Sequence, residues 1–373
     1  MKPGEIGMRE RFRSLTAGPA LALCIERFRK MTFGIPLALC VLGVLFVLDI
    51  MLGSVNIPLD SLLAIPTGGE VKETWATIFW YWRLPKAITA VFAGAALALS
   101  GLLMQTFFRN PLADPFILGI SSGASVGVAL VMMSAGFCGI GAVFAGLGFL
   151  GDVSIAFASV LGSLAVLLLI LLISAKIQSS TTILVLGIMV SYISGAIVTI
   201  LLQFADQSSM HSYSFWTFGS FSGVTWSQLP VLAFFLTAGF GVSFFLTKSL
   251  NALLLGEQYA VSMGMDYKKI KNAIIVNTAV MAGVVTAFCG PIGFLGVAVP
   301  HFCRSLFVTA DHRILVPACV IVGGIIALAT DIISHLPGTD LVLPLNAITA
   351  LFGAPVVIWV IVRGTRFGRG VTT

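Results

Sequence analysis

Few groups in this chain could bind a metal, move a proton or attack a carbonyl, and none falls in a pattern that does such work. Six cysteines, Cys24, Cys40, Cys138, Cys289, Cys303 and Cys319, lie in or beside apolar runs without a CxxC pair, so they read as small packing residues. His301 and His312 match no ligand spacing and read as hydrogen-bonding or interfacial side chains, and no metal site is expected. No GxxxxGK[ST] loop, HExxH or paired-carboxylate arrangement offers a nucleotide or hydrolytic centre, so no catalytic residue is expected. Gly290, Gly293 and Gly296 in CGPIGFLGVAVPH suggest a phosphate loop, but Pro291 and Pro300 within an apolar run favour a broken or short membrane helix.

Those residues must be positioned by membrane helices. Of the 373 residues 58% are hydrophobic and 10% charged, far from the roughly one quarter charged in soluble domains. A span-length window finds ten candidates, at about 33–52, 86–108, 115–136, 153–174, 182–204, 228–247, 272–290, 292–308, 314–334 and 345–362. The expected organisation is a cytoplasmic, weakly amphipathic segment 1–32, one transmembrane domain 33–363 and a cytoplasmic tail 364–373. The Gly-rich stretch 137–150 reads as interfacial or re-entrant. Gly119, Gly123 and Gly127 form overlapping GxxxG steps for helix packing.

With an even number of crossings nearly all Lys and Arg fall on the side of the termini, and only Lys72, Arg83 and Lys86 fall opposite. The positive-inside rule then makes both ends cytoplasmic, in a bacterial inner membrane. The net charge of +6 thus reports orientation, and no nucleic-acid partner is expected. Asp49 and Asp331 sit near the outer ends of spans, and carboxylates near mid-span are scarce. An ion-coupled carrier places such groups on its pathway, so energy for transport is expected from elsewhere.

The polar stretch 249–271, SLNALLLGEQYAVSMGMDYKKIK, is too polar to span. Gly256 to Met263 suit a short helix opening at Glu257, with Gly264 as left-handed C-cap and Asp266 capping a second short helix. Two readings stand: a knob gripped by a soluble partner, or a loop lying on the headgroups.

RLPK, GAALALSGLLMQTFFRNPLADPFILGISSGA, LLGEQYAVSMGMDYKKIK, GPIGFLGVAVPHFCR, TADHR and LFGAPVVIW, in this order, resemble the permease family of ABC importers for iron-siderophores, haem and cobalamin, the FecCD type. The resemblance runs from about residue 35 to the C-terminus. It implies an all-α, ten-transmembrane-helix type II importer permease that is a homodimer, pairs with two cytoplasmic ABC ATPases and receives cargo from a periplasmic binding protein. ATP and Mg2+ belong to the ATPase; this chain is expected to be non-catalytic and to bind no cofactor. By motif, Gly256, Glu257, Ala260 and Gly264 fall in the ATPase-coupling helices within 249–271. Arg83 and Lys86 occupy the two basic positions that meet acidic residues of the binding protein, and His335 stands where some relatives carry Arg. Asn110 matches a cytoplasmic gate position, and Ser179, Ser180 and Thr181 the start of a second gate layer, or else a helix N-cap.

The segment containing Trp216 and Trp226 resembles the family's short periplasmic helix, though both residues also suit an interfacial aromatic belt. The other class of function consistent with the composition is an ion-coupled carrier or channel.

Overall fold

A computed structural model describes residues 19–368 apart from 70, 134–148, 176, 178, 337 and 340, with their side chains except those of 19–33, 149–154, 180 and 359–368. The described elements are all helical: α1 (Pro19–Met51), α2 (Leu59–Ala64), α3 (Glu73–Ile78), a π turn (Phe79–Arg83), α4 (Leu84–Phe108), a 3-10 turn (Pro115–Leu118), α5 (Ile120–Met133), α6 (Phe149–Ser174), α7 (Ser180–Phe204) and α8 (Gln207–Phe218). Then follow α9 (Leu229–Phe245), α10 (Thr247–Leu255), α11 (Glu257–Ser262), α12 (Tyr267–Cys289), α13 (Leu295–Phe307), α14 (His312–Ser334) and α15 (Leu345–Gly368).

The fold is built around α4. Its run of alanines, Ala87, Ala90, Ala93, Ala96 and Ala98, is fully buried, and small side chains let neighbouring backbones come close. Gly94 lies against the backbone of Gly323 in α14, and Gly101 against Gly296 in α13, leaving no room for a Cβ at either contact. Helices α9 and α12 close the other sides.

Six described helices are long and apolar enough to cross a bilayer, or seven if α9 and α10, bent by 51°, count as one span. The other expected crossings fall on shorter helices: α5, α13 and the apolar part of α15. Helix α1 begins at Pro19, so no break separates residues 19–32 from the first span, and α15 carries the last span on to Gly368. Of the 137–150 segment only Phe149 and Leu150 are described, and they open α6.

Two glycine expectations divide. Gly123 and Gly127 do pack against α6, at Gly162 and Ala158. Gly119 is not on that helix; at φ +75 it ends the 3-10 turn before α5, a backbone conformation that suits glycine. The 290–296 stretch is a helix break: α12 stops at Gly290 and α13 starts at Leu295. Asn346 of α15 stitches it, accepting from the Gly293 N–H (3.0 Å) and donating to the carbonyls of Pro291 (2.5 Å) and Thr217 (2.8 Å). Non-helical backbone persists at membrane depth only where such partners replace water.

Candidate functional site

Three places gather the polar residues singled out above. The first is at the Arg83 end of the molecule. Pro85 has no N–H to give the preceding turn, and the chain widens there into a π turn closed by Leu84 N–H on the Phe79 carbonyl. The widening leaves Trp80, Tyr81 and Trp82 exposed and aims Arg83 inward.

Arg83, Lys86 and His335 line one cleft of about 390 Å³, with Ser54, Val55, Trp82, Ser222 and Thr339. Both cations lie at the bottom of the cleft: Arg83 and Lys86 are 8% and 4% exposed. Arg83 donates to the carbonyls of Asp49 (3.4 Å), Val55 (3.2 Å) and, very closely, Leu52. Lys86 bridges Asp49 of α1 (3.3 Å) and Asp331 of α14 (2.5 Å), and His335 Nδ1 lies 3.5 Å from Asp331. Two cations and two carboxylates buried together cancel, which is how a low-dielectric site tolerates them. The signal for this cluster was the presence of Asp49 and Asp331 near the same ends of their spans.

The second place is the knob made by 249–271. It comprises α10 and α11, which meet at Gly256 (φ +126). The second short helix expected after Asp266 is instead the first turn of the long α12, since no Gly or Pro interrupts the chain before Gly283. Gly264 does take the left-handed turn (φ +86). Asp266 caps α12, accepting from Lys269 N–H (3.1 Å), with the Lys269 ammonium also 3.1 Å away. These contacts, the backbone one foremost, hold its carboxyl below the usual range. Leu254, Leu255, Tyr259, Val261 and Met263 stand exposed on the knob. Ala260 faces inward and is fully buried, so its small size serves packing within this chain.

The third place is the 109–114 turn at the far end of α4. Arg109 (φ 47) ends the helix, and Asn110 Oδ1 accepts from Leu112 N–H at 3.0 Å, folding the turn on itself. His301 of α13 bonds the Pro111 carbonyl at 2.6 Å, and Arg304 donates to Gln105 Oε1 at 2.5 Å. The turn abuts the knob: a Cβ added to Gly256 would stand 3.5 Å from the Arg109 guanidinium. Ser179 accepts from Thr182 N–H at 3.4 Å as the N-cap of α7, and Thr181 is exposed; the Ser180 side chain lies outside the description.

On the opposite side of the chain, α8 is the short helix suggested by the segment before α9. Asp206 caps it through Ser208 and Ser209, and Trp226 donates to the Trp80 carbonyl at 2.6 Å. Among the described residues no cluster of His, Cys, Asp and Glu could hold a metal.

The described residues thus form a helical protein with at least six helices long and apolar enough to cross a bilayer, an apolar-tipped knob and a buried charge cluster. The chain belongs to the FecCD transport family, whose model matches residues 41–363. It is 35% identical over 306 residues to the vitamin B12 import system permease protein BtuC of Klebsiella pneumoniae, covering 82% of this chain and 88% of that one. The BtuC of Salmonella typhimurium is 34% identical over 309 residues, 81% of this chain and 89% of the relative. Among solved structures, an inward-facing conformation of a metal-chelate type ABC transporter matches with a TM-score of 0.76 and 27% identity, covering 90% of this chain and 99% of that chain. The chain is therefore an ABC importer permease of the metal-chelate and cobalamin type, a multi-pass protein of the bacterial inner membrane.

Proposed function

We propose that this permease carries a preassembled metal chelate, cobalamin first among the candidates with iron-siderophore and haem behind it, from a periplasmic binding protein to the cytoplasm by alternating access. The observation that carries the reading is the knob. An exposed apolar tip on a glycine-jointed pair of short helices suits a soluble ATPase that grips and pushes. Gly256, Glu257, Ala260 and Gly264 are assigned to that joint, with ATP and Mg2+ on two partner subunits. Cobalamin takes precedence because the relatives compared above are named for vitamin B12 import.

The binding protein is proposed to dock over the cleft lined by Arg83, Lys86 and His335, with Lys86 balancing charge from beneath. Asn110 and the Ser179, Ser180 and Thr181 run are proposed as two layers of the cytoplasmic gate. A second copy is proposed to cover the exposed apolar stripe of α7, Val185, Met189, Ile193, Ile197 and Ile200. Ten crossings with both termini cytoplasmic complete the assignment, since this places the basic loops inside.

The test is uptake of labelled cyanocobalamin, ferric siderophore and haem into vesicles holding the whole complex and its loaded binding protein. Uptake should need ATP, survive collapse of the proton gradient and favour cobalamin. Uptake driven by the gradient without ATP returns the protein to the ion-coupled class.

A further inference from the structure

We propose that Asn251, His312 and Thr106 form a hydrogen-bonded relay that transmits displacement of the α10–α11 knob to the 109–114 turn, making them positioning residues for the gate. The proposal rests on the importer reading above. It begins on α10, where Asn251 Oδ1 accepts from the His312 backbone N–H (2.9 Å) and its ring Nδ1 (2.8 Å). The Asn251 amide nitrogen donates to Asp311 Oδ1 (2.7 Å), which also accepts from Arg313 N–H (2.9 Å). That donation settles which end of the amide is oxygen, and so fixes the proton of His312 on Nδ1. The ring Nε2 is then an acceptor for the Thr106 hydroxyl, 2.8 Å away, whose one hydrogen it shares with the Leu102 carbonyl, also at 2.8 Å.

Thr106 stands in the last turn of α4, and its carbonyl accepts Arg109 N–H (3.3 Å) while that of Gln105 accepts Asn110 N–H (3.2 Å). Knob and gate turn are thus joined by four elements in hydrogen-bond contact. His312 and Thr106 are 1% and 3% exposed, so water cannot stand in for a broken link. Apolar contacts can slide through many registers; a ring held by both nitrogens has one. Movement of α10 either drags the end of α4 with it or leaves buried polar groups unpaired.

The push cannot be lost in a tilt of α14. That helix is tied to α4 at its other end by Lys86 and Asp331, and at mid-length by the contact of Gly94 with Gly323. Arg304 on Gln105 and His301 on Pro111 carry the same displacement across to α13.

The test measures cargo imported per ATP hydrolysed by the reconstituted complex, together with thermal unfolding of each variant. Thr106→Val keeps the shape and removes the hydroxyl; Thr106→Ser keeps the hydroxyl. With Thr106→Val, ATP hydrolysis should continue while import per ATP falls about fivefold, the factor that one net hydrogen bond carries as coupling free energy. Thr106→Ser should restore it. Asn251→Leu, at the half-buried far end of the relay, should lower the same ratio even if Thr106→Val proves unstable. An unchanged ratio in Thr106→Val or in Asn251→Leu, or an equal loss in Thr106→Val and Thr106→Ser, overturns the relay and leaves the importer reading intact. Parent uptake without ATP overturns both.

Discussion

Asp266 shows how much one exposed side chain arranges at the joint of the knob. Its carboxylate meets the Lys269 N–H that the first turn of α12 would otherwise leave unpaired. Because the folded state holds its pKa below the ordinary carboxylate value, the stabilisation is complete above that value and is lost as pH falls through the depressed one. Asp266→Ala should therefore lower the thermal midpoint of the purified permease at neutral pH, and the gap to the parent should close in strong acid. A gap that is constant with pH would mean that the charge does nothing there. The cap was legible in the sequence, since Asp266 precedes a basic, periodic run. Lys86 was legible only in part: Asp49 and Asp331 stand near the same ends of their spans, but their pairing with it joins α1, α4 and α14, which are distant in the chain. Asn346 was hidden, because its partners lie on two other backbone segments, the break at Pro291 and Gly293 and the end of α8 at Thr217.

Among elements, hydropathy located the helices and left their joints unseen. The windows at 86–108, 182–204 and 314–334 lie within two residues of α4, α7 and α14 at each end, because each run is bounded by a polar cap or a change of composition. The π turn could not be read in that way; Pro85 permits it, yet a proline in the first turn of a helix is also routine. The knob was read correctly at Gly264, the left-handed turn after α11, and wrongly after Asp266, where the helix simply continues. Gly264 has open space around it, so bulk is tolerated while the positive φ is not. Gly264→Trp should cost about 1 kcal/mol of strain. It should re-aim α11 against α12, leaving assembly in the membrane intact but lowering import per ATP. Parent-level import by this variant would detach the turn from coupling.

For the molecule as a whole, the question is what keeps α1 and α14 fixed to α4. The answer offered by the geometry is Lys86, shared between Asp49 and Asp331 and shielded from water, with Arg83 supplying the second positive charge. Removing one member of such a set leaves the excess charge buried without a partner, which costs more than the intact pairs contribute. Lys86→Met should therefore destabilise the purified permease by about 3 to 5 kcal/mol, read as a lower thermal midpoint in detergent. Deleting a carboxylate as well restores neutrality, so Lys86→Met combined with Asp49→Leu should recover most of the loss, with Asp331 still facing Arg83 and His335. A lysine acting only in docking behaves in the opposite way: its loss would weaken affinity for the binding protein and leave the midpoint unmoved. Measuring both quantities on the single and double variants therefore separates a staple that holds the bundle together from a contact that merely receives a partner. An unchanged midpoint for Lys86→Met would remove the staple from this account.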